Sequence, residues 1–242
     1  MISACVFTVV LFDPSSGVPA ALPSPALRRL LMGISMGGTA VLIIHSSMGK
    51  RSGAHFNPAI TLTYYRLGKI ARGDAVFYVI SQFIGGIFGV GLSALFLARA
   101  LAGPDVLYAV TVPGTYGTGA AFAAEIFMAA LLMAVVLWTS NRPALASRTS
   151  YFVGILITFY VFFFAPVSGF SINPARTTAS AVFADVWTAA WVYFTAPVLG
   201  MLLSAEVYVR SQGRDRILCA KLHPDNSYEC PFLCHYPGHR PD

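Results

Sequence analysis

Ser52–Thr63 reads SGAHFNPAITLT and Ser168–Ala179 reads SGFSINPARTTA, so one short pattern occurs twice in this chain. Six of the twelve aligned positions are identical, and the two copies lie 116 residues apart, about half the chain. Asn is a favoured N-cap and Pro a favoured first helical residue, because proline has no N–H to leave unpaired. Each copy therefore predicts a short helix, one from Pro58 to about Arg66 and one from Pro174 to about Ala184.

The composition indicates a membrane protein. Of the 242 residues, 56% are hydrophobic and only 11% are charged, and the mean hydropathy is +0.67. Soluble domains average about 25% charged residues. The net charge of +6 does not indicate a nucleic-acid partner, because the basic residues flank apolar segments and form no separate basic domain.

The apolar residues form five long segments and one short one, which predict six membrane crossings. The long segments are Leu27–Ser47, Ala75–Leu101, Ala120–Ser140, Tyr151–Pro166 and Trp187–Val209. The short segment, Met1–Phe12, would reach only about 18 Å as a helix, whereas the hydrocarbon core is about 30 Å thick. We expect either a re-entrant segment here or a chain that begins inside its first transmembrane helix.

The distribution of Lys and Arg predicts the orientation. If the end of Met1–Phe12 lies outside, 12 of the 16 basic residues lie on the inner side. They are Lys50, Arg51, Arg66, Lys69, Arg72, Arg142, Arg148, Arg210, Arg214, Arg216, Lys221 and Arg240. Because inner loops carry the excess of basic residues, both termini are expected in the cytoplasm, which an even number of crossings allows.

The two copies of the pattern predict an inverted repeat. Three crossings separate them, so the two halves run in opposite senses, and such repeats place a site at the midplane. Two half-helices entering from opposite faces would meet there with their positive dipole ends together. The amides of Asn57 and Asn173 could then donate to the oxygen of a solute, while a cation or hydronium would meet positive potential from both sides.

The paired boxes resemble those of the aquaporin and glycerol-facilitator family. The boxes are Asn57, Pro58 and Ala59 in HFNPA, and Asn173, Pro174 and Ala175 in NPAR. The resemblance covers Met1 to about Arg210. It implies an all-α membrane bundle of six helices with two re-entrant half-helices in an inverted repeat, here with a first helix that is apparently truncated. It also implies homotetramers in the cell membrane that conduct water and small neutral solutes.

The resemblance assigns Arg176, three residues after Asn173, to the family's arginine at the outer constriction. There the guanidinium would donate hydrogen bonds to the solute and repel cations. The alternative interpretation is an arginine whose head reaches to the membrane interface.

Ungapped counting from the two Asn residues assigns three more constriction positions, Gly37, Val161 and Phe170. Water-selective members of the family commonly have an aromatic residue, a histidine and a small residue at these positions. Glycerol facilitators have Phe at the position of Phe170 and Gly at the position of Val161. This sequence matches neither pattern. Gly37 and Val161 imply a wider and less polar slot. The alternative for Gly37 is a helix-packing glycine, together with Gly33 and Gly38.

Two polar residues extend the resemblance. His55 matches a loop histidine that lines the cytoplasmic half of the pore, and the alternative is a histidine bonded to loop carbonyls. Glu125 is the acid of the segment Ala120–Ser140, where a charge is costly without partners. In the family this residue accepts hydrogen bonds from the backbone of the second Asn-Pro-Ala loop, and the alternative is a proton relay. Its twin is expected before Met1–Phe12, so we expect a groove where the first helix should continue.

The tail, residues 211–242, is polar and reads C-x3-H-x6-C-x3-C-H-x3-H from Cys219 to His239. In a reducing cytoplasm metal binding is a more common use of such cysteines than disulfides. Four tail residues could hold Zn²⁺ in a tetrahedral site. They are Cys219, His223, Cys230 and Cys234. The alternatives are a disordered basic tail with incidental cysteines and, less compatible with the spacing, a haem attachment.

These observations predict a passive channel in residues 1–210 and a separate cytoplasmic tail in 211–242. No Gly-rich phosphate loop, paired intramembrane carboxylates or nucleophile–base motif is visible, so we expect no enzyme, and transport is expected to require no cofactor. The sequence leaves two alternatives open. One is a secondary transporter on the same inverted repeat, and the other is a membrane scaffold or metal sensor that acts through the tail.

Overall fold

The computed structural model describes residues 1–237, so His239 and Arg240 lie outside the described residues. Within this range the secondary structure is helical, with eight helices of nine or more residues. They are α1 (Ile2–Phe12), α2 (Pro25–His45), α3 (Pro58–Arg66), α4 (Arg72–Ala102), α5 (Gly117–Ser140), α6 (Thr149–Ser168), α7 (Pro174–Ala184) and α8 (Ala190–Gln212). The two half-helices, α3 and α7, have the predicted bounds.

Local sequence explains where the functional helices begin. Asn57 caps α3 by accepting the N–H of Ala59 on its side-chain oxygen, and Pro58 fills the first helical position. The same pair begins α7, where the oxygen of Asn173 accepts from two backbone N–H groups. Side-chain capping replaces intrahelical partners that the first turn lacks, so each box begins its helix at a defined residue.

The helix contacts follow the repeat. Helices α1–α4 form the first half and α5–α8 the second, and α1 packs on α4 as α5 packs on α8. Each half-helix also packs on a long helix of the opposite half, α3 on α8 and α7 on α4. Helices α2 and α6 cross each other between the halves. This arrangement interlocks the halves and brings the starts of α3 and α7 together.

The crossing of α2 and α6 depends on small residues. A Cβ atom on Gly33 would lie 2.6 Å from the carbonyl oxygen of Thr158, and one on Gly37 would lie 2.3 Å from that of Gly154. The hydroxyl of Thr158 donates across the crossing to the oxygen of Gly33 at 3.1 Å. In a membrane, glycines four residues apart allow two backbones to approach closely, and packing with interhelical hydrogen bonds then holds them.

Helix α1 has 11 residues, about half the length of a membrane crossing. It packs against α2 and α4 and buries Cys5, Val9 and Leu11. Among the described residues, five other helices are long and apolar enough to cross a membrane: α2, α4, α5, α6 and α8. The five long segments predicted from the sequence correspond to these helices.

We predict that Gly37→Ala lowers stability and that Gly38→Ala does not. The new methyl group at Gly37 would overlap the backbone of Gly154, and such overpacking costs about 1–3 kcal/mol. A Cβ atom at Gly38 meets nothing within 4 Å, and Ala is a better helix former than Gly by about 1 kcal/mol. The midpoint of thermal denaturation in detergent measures both changes. Equal shifts in the two variants would contradict the close crossing.

Candidate pore between two facing loops

The two Asn-Pro-Ala boxes lie against each other. We call residues 52–57 the first loop and residues 168–173 the second loop. The amide nitrogen of Asn57 donates to the backbone oxygen of Ile172 at 2.7 Å, and that of Asn173 donates to the backbone oxygen of Phe56 at 2.8 Å. The N-termini of α3 and α7 therefore face each other, as the inverted repeat predicted.

Each Asn side chain performs two tasks. Its oxygen caps its own half-helix, and its nitrogen binds the opposite loop. An amide nitrogen carries two hydrogens, so one N–H of each Asn remains beyond these bonds. The arrangement can offer two aligned donors to one solute oxygen at the meeting point of two positive helix ends.

Glu125 holds the second loop. Its carboxylate, fully buried, accepts from the hydroxyl of Ser168 at 2.8 Å and from the backbone N–H of Ser171 at 2.9 Å, and its other oxygen accepts from the N–H of Ile172. The hydroxyl of Tyr193 donates to the backbone oxygen of Ser168 at 2.7 Å. The contacts favour the loop-bracing interpretation of Glu125 over the proton relay.

The first loop is held differently. Gln82 donates from its side-chain nitrogen to the backbone oxygen of His55 at 2.8 Å and to the hydroxyl of Thr61 at 3.0 Å. The ring of His55 donates or accepts at Thr61 and contacts the backbone oxygen of Ala220, in the tail, at 2.7 Å. Sequence analysis missed Gln82, although an amide inside a 31-residue apolar helix is a visible signal.

The predicted constriction residues have different surroundings. Val161 is buried in α6, and Phe170 has a positive φ of 50° and a ring 6.0 Å from that of Tyr160. The Nη1 atom of Arg176 is buried and has no hydrogen-bond partner among the described residues. A guanidinium donor without a protein partner is suited to bind a solute oxygen.

Gly37 lies at the crossing of α2 and α6, against the backbone of Gly154. These contacts favour the interpretation of Gly37 as a helix-packing glycine over its assignment to the constriction. The physical reason is that a residue in a backbone-to-backbone contact leaves no room for a side chain of its own. A larger residue at Gly37 would therefore test packing rather than pore width.

The four predicted metal ligands do not come together. The thiols of Cys219, Cys230 and Cys234 all lie within 4.8 Å of one another, but His223 is not part of this cluster. Its ring lies 4.8 Å from that of His45 instead. Hydrogen bonding with the other two thiols, together with burial, raises the pKa of Cys219 above its ordinary value.

The described part of the tail, residues 211–237, packs against the bundle, which does not fit the disordered alternative. Ile217, Ala220, Leu222 and Phe232 belong to the main apolar core together with α3, α5 and α6. These tail residues therefore share the core of the helical bundle, although the composition of the tail is polar.

The family model of the major intrinsic proteins matches residues 2–208. The chain belongs to this family. Over 144 residues it is 35% identical to a probable aquaporin of the NIP type from Nicotiana alata, a match that covers 56% of this chain and 49% of that protein. The chain thus spans about half the length of the Nicotiana relative.

Two further proteins are similar to this chain. Over 174 residues it is 28% identical to Aquaporin Z of Photorhabdus laumondii, covering 68% of this chain and 75% of that protein. The crystal structure of the aquaglyceroporin from Plasmodium falciparum matches with a TM-score of 0.63 and 20% identity, covering 86% of this chain and 93% of that one. At this identity the second match shows the fold alone.

Membership of the major intrinsic protein family confirms the resemblance inferred from the two boxes and the all-helical channel fold. Members of this family are membrane channels, not enzymes, and they require no cofactor for transport. The chain is accordingly an integral membrane protein. The matched residues end at 208, so the tail with its three thiols lies beyond the family match.

We predict that Glu125→Gln destabilises the protein. One carboxylate oxygen becomes an NH₂ group, which faces a donor of the second loop in either orientation, and each unsatisfied buried donor costs about 1–3 kcal/mol. Glu206→Gln is the control, because Glu206 forms only an exposed pair with Arg210, of a kind that contributes about 0–1 kcal/mol. Thermal denaturation in detergent compares them, and equal midpoints would refute the bracing role.

Proposed function

We propose that this protein is a passive channel for water and small neutral solutes such as glycerol, urea or ammonia. The facing amides of Asn57 and Asn173 carry this proposal. Each amide is held by at least two hydrogen bonds, so its remaining N–H can donate to a solute with little further loss of rotamer entropy. Donors held in this way replace the hydrogen bonds that a water molecule or an alcohol loses on leaving bulk water.

The same geometry supports exclusion of cations. Two helix N-termini, each equivalent to roughly half a positive charge, lie together at the loops. Arg176 adds a full charge in the first turn of α7. A cation or hydronium would meet three positive sources in a region of low dielectric constant, whereas a neutral solute would not.

The residue types assigned to the slot favour solutes larger than water. Val161 is aliphatic where the resemblance places a histidine in water-selective members, and the aromatic wall is reduced to Phe170. Because Gly37 is engaged in helix packing, we assign the slot to Val161, Phe170 and Arg176. Permeation of glycerol beside water follows from this assignment.

The two alternative functions have less support. A secondary transporter needs a site for a coupling ion, and the carboxylate of Glu125 is engaged with Ser168, Ser171 and Ile172. A scaffold or metal sensor would use the tail without a conducting pore, but the paired amides have no role in such a protein.

Assembly and location are part of the proposal. The family resemblance implies a homotetramer in the cell membrane with both termini cytoplasmic. The tail contacts Gly53, Lys69 and Asn141, so the basic inner loops lie at the same end of the bundle as the tail. This one-sided placement of basic residues supports the orientation.

We predict that Val161→His suppresses glycerol flux while water flux remains. An imidazole would narrow the slot and add a donor, and a roughly tenfold loss of glycerol flux corresponds to about 1.4 kcal/mol of barrier. Val161→Thr keeps the shape and should conduct glycerol like the parent. Stopped-flow light scattering of proteoliposomes, in gradients of an impermeant sugar and of glycerol, measures both fluxes.

The same vesicles test the alternatives. A channel gives solute flux that depends on the gradient of that solute and is unchanged by gradients of Na⁺ or H⁺. Flux that requires an ion gradient would support a transporter, and vesicles no more permeable than protein-free ones would contradict the channel. Equal glycerol flux in the parent and in Val161→His would contradict the assignment of Val161 to the slot.

A further inference from the structure

Residues 217–236 of the tail, which we call the cap, lie on the first loop at the inner end of the bundle. The backbone N–H of Leu222 donates to the oxygen of Gly53 at 3.1 Å, and the oxygen of Ala220 lies 2.7 Å from the ring nitrogen Nε2 of His55. The N–H of Leu233 donates to the oxygen of Lys69 at 3.0 Å. The cap is therefore hydrogen-bonded to the segments that precede and follow α3.

The cap is also buried. Ile217, Ala220 and Leu222 are at most 1% exposed, and the ring of Phe232 lies 5.1 Å from that of His55. Gly53 makes room for this ring, because a Cβ atom there would lie 2.4 Å from it. The loop that begins the first half-helix thus fits closely against the cap.

On the far side, the cap reaches the connection between α5 and α6. The N–H of Leu218 donates to the side-chain oxygen of Asn141 at 2.7 Å, and Ala146 is buried with Cys219 and Tyr236. With the rings of His45 and His223 in contact, the cap touches segments next to α2, α3, α5 and α6. The cap therefore contacts segments of both halves at the end of the bundle that carries the basic loops.

The cap contains a loop whose two ends are brought together at a cluster of thiols. Cys219 and Cys230 are at the two ends of this loop, with their sulfur atoms 3.4 Å apart, and Cys234 completes the cluster. Inside the loop the buried ammonium of Lys221 donates to the backbone oxygens of Tyr228 and Glu229 at 2.8 and 3.0 Å. Two of the residues that touch the first loop, Ala220 and Leu222, lie within this segment, and a third, Phe232, lies between Cys230 and Cys234.

The thiol cluster matches the requirements of a zinc site. Two sulfur atoms bound to one tetrahedral Zn²⁺ at about 2.3 Å lie about 3.8 Å apart. The three sulfurs, all within 4.8 Å of one another, reach this separation with small side-chain movements. A tetrahedral ion would take its fourth ligand from outside the cluster. Soft thiolate ligands in a reducing compartment select Zn²⁺ over Mg²⁺ or Ca²⁺.

We propose that Cys219, Cys230 and Cys234 bind one Zn²⁺ ion per subunit and that this ion fastens the cap over the inner mouth of the pore. Metal binding releases the thiol protons to solvent and forms three Zn–S bonds, without a redox step. With the ion bound, the closed loop keeps Ala220 and Leu222 on His55 and Gly53, and conduction is low. Loss of the ion frees the cap and raises conduction. The effect of the ion on conduction rests on the proposed channel function.

Metal analysis of the full-length protein, purified without chelator and dialysed against buffer with zinc, tests the site. We expect about one Zn²⁺ per subunit, with loss of the ion in Cys219→Ser, Cys230→Ser and Cys234→Ser. His223→Ala is the matched control, because His223 lies outside the cluster and the variant should keep its zinc. Absence of zinc from the parent, or equal loss from His223→Ala, would overturn the three-thiol site.

Water flux in proteoliposomes tests the cap, with zinc-loaded protein compared with protein stripped by a chelator before reconstitution. We expect water flux to rise by roughly tenfold when zinc is removed. Such a rise corresponds to an increase in the fraction of uncapped channels from about 10% to nearly all. Phe232→Ala should keep its zinc and conduct like stripped protein, because it removes the contact with Gly53 and not a thiol.

The outcomes separate the two proposals. Equal flux of loaded and stripped protein, above that of protein-free vesicles, would overturn the cap and leave the channel intact. If the parent, the stripped protein and Phe232→Ala all conduct no better than protein-free vesicles, the channel function fails, and the fastening role fails with it. Zinc content alone then decides the thiol site.

Discussion

The reciprocal bonding of the two Asn-Pro-Ala loops is the interaction on which the rest of the structure depends. A chain that leaves helical geometry inside a membrane exposes backbone N–H and C=O groups that water cannot reach. Here each loop supplies a side-chain amide to a carbonyl of the other, through Asn57 to Ile172 and Asn173 to Phe56. Each loop finds one of its partners in the other half, so the start of each half-helix depends on contact between the two halves.

The two halves share the arrangement of their helices, but their loops are held by different partners. The second loop directs N–H groups at Glu125, which braces it from within its own half. The first loop uses carbonyls instead, which accept from Gln82 in the same half and from Leu222 in the cap. One loop is therefore held by the membrane bundle, and the other is held partly by a segment outside it. The asymmetry connects the inner mouth of the pore to the tail.

The tail also changes the meaning of His55. From the resemblance, this residue was expected to line the cytoplasmic half of the pore. In the structure its ring contacts the backbone oxygen of Ala220 and lies next to Phe232, so under the proposed function the cap would compete with solute for this side chain. Under the two proposals, a histidine that also binds the chain's own tail would couple conduction to the state of three thiols.

By itself the sequence determined the membrane class, the two half-helices and the facing loops, because these depend on local signals: long apolar segments, Asn-Pro starts and the positions of Lys and Arg. It also indicated Glu125, since an acid inside an apolar helix needs partners. Only the tertiary structure decided that Gly37 packs against Gly154, that His223 stands apart from the thiols, and that a polar tail covers the first loop. Counting residues along a chain gives no distances between segments that are far apart in sequence. The crossing of α2 and α6 and the position of the cap depend on such distances.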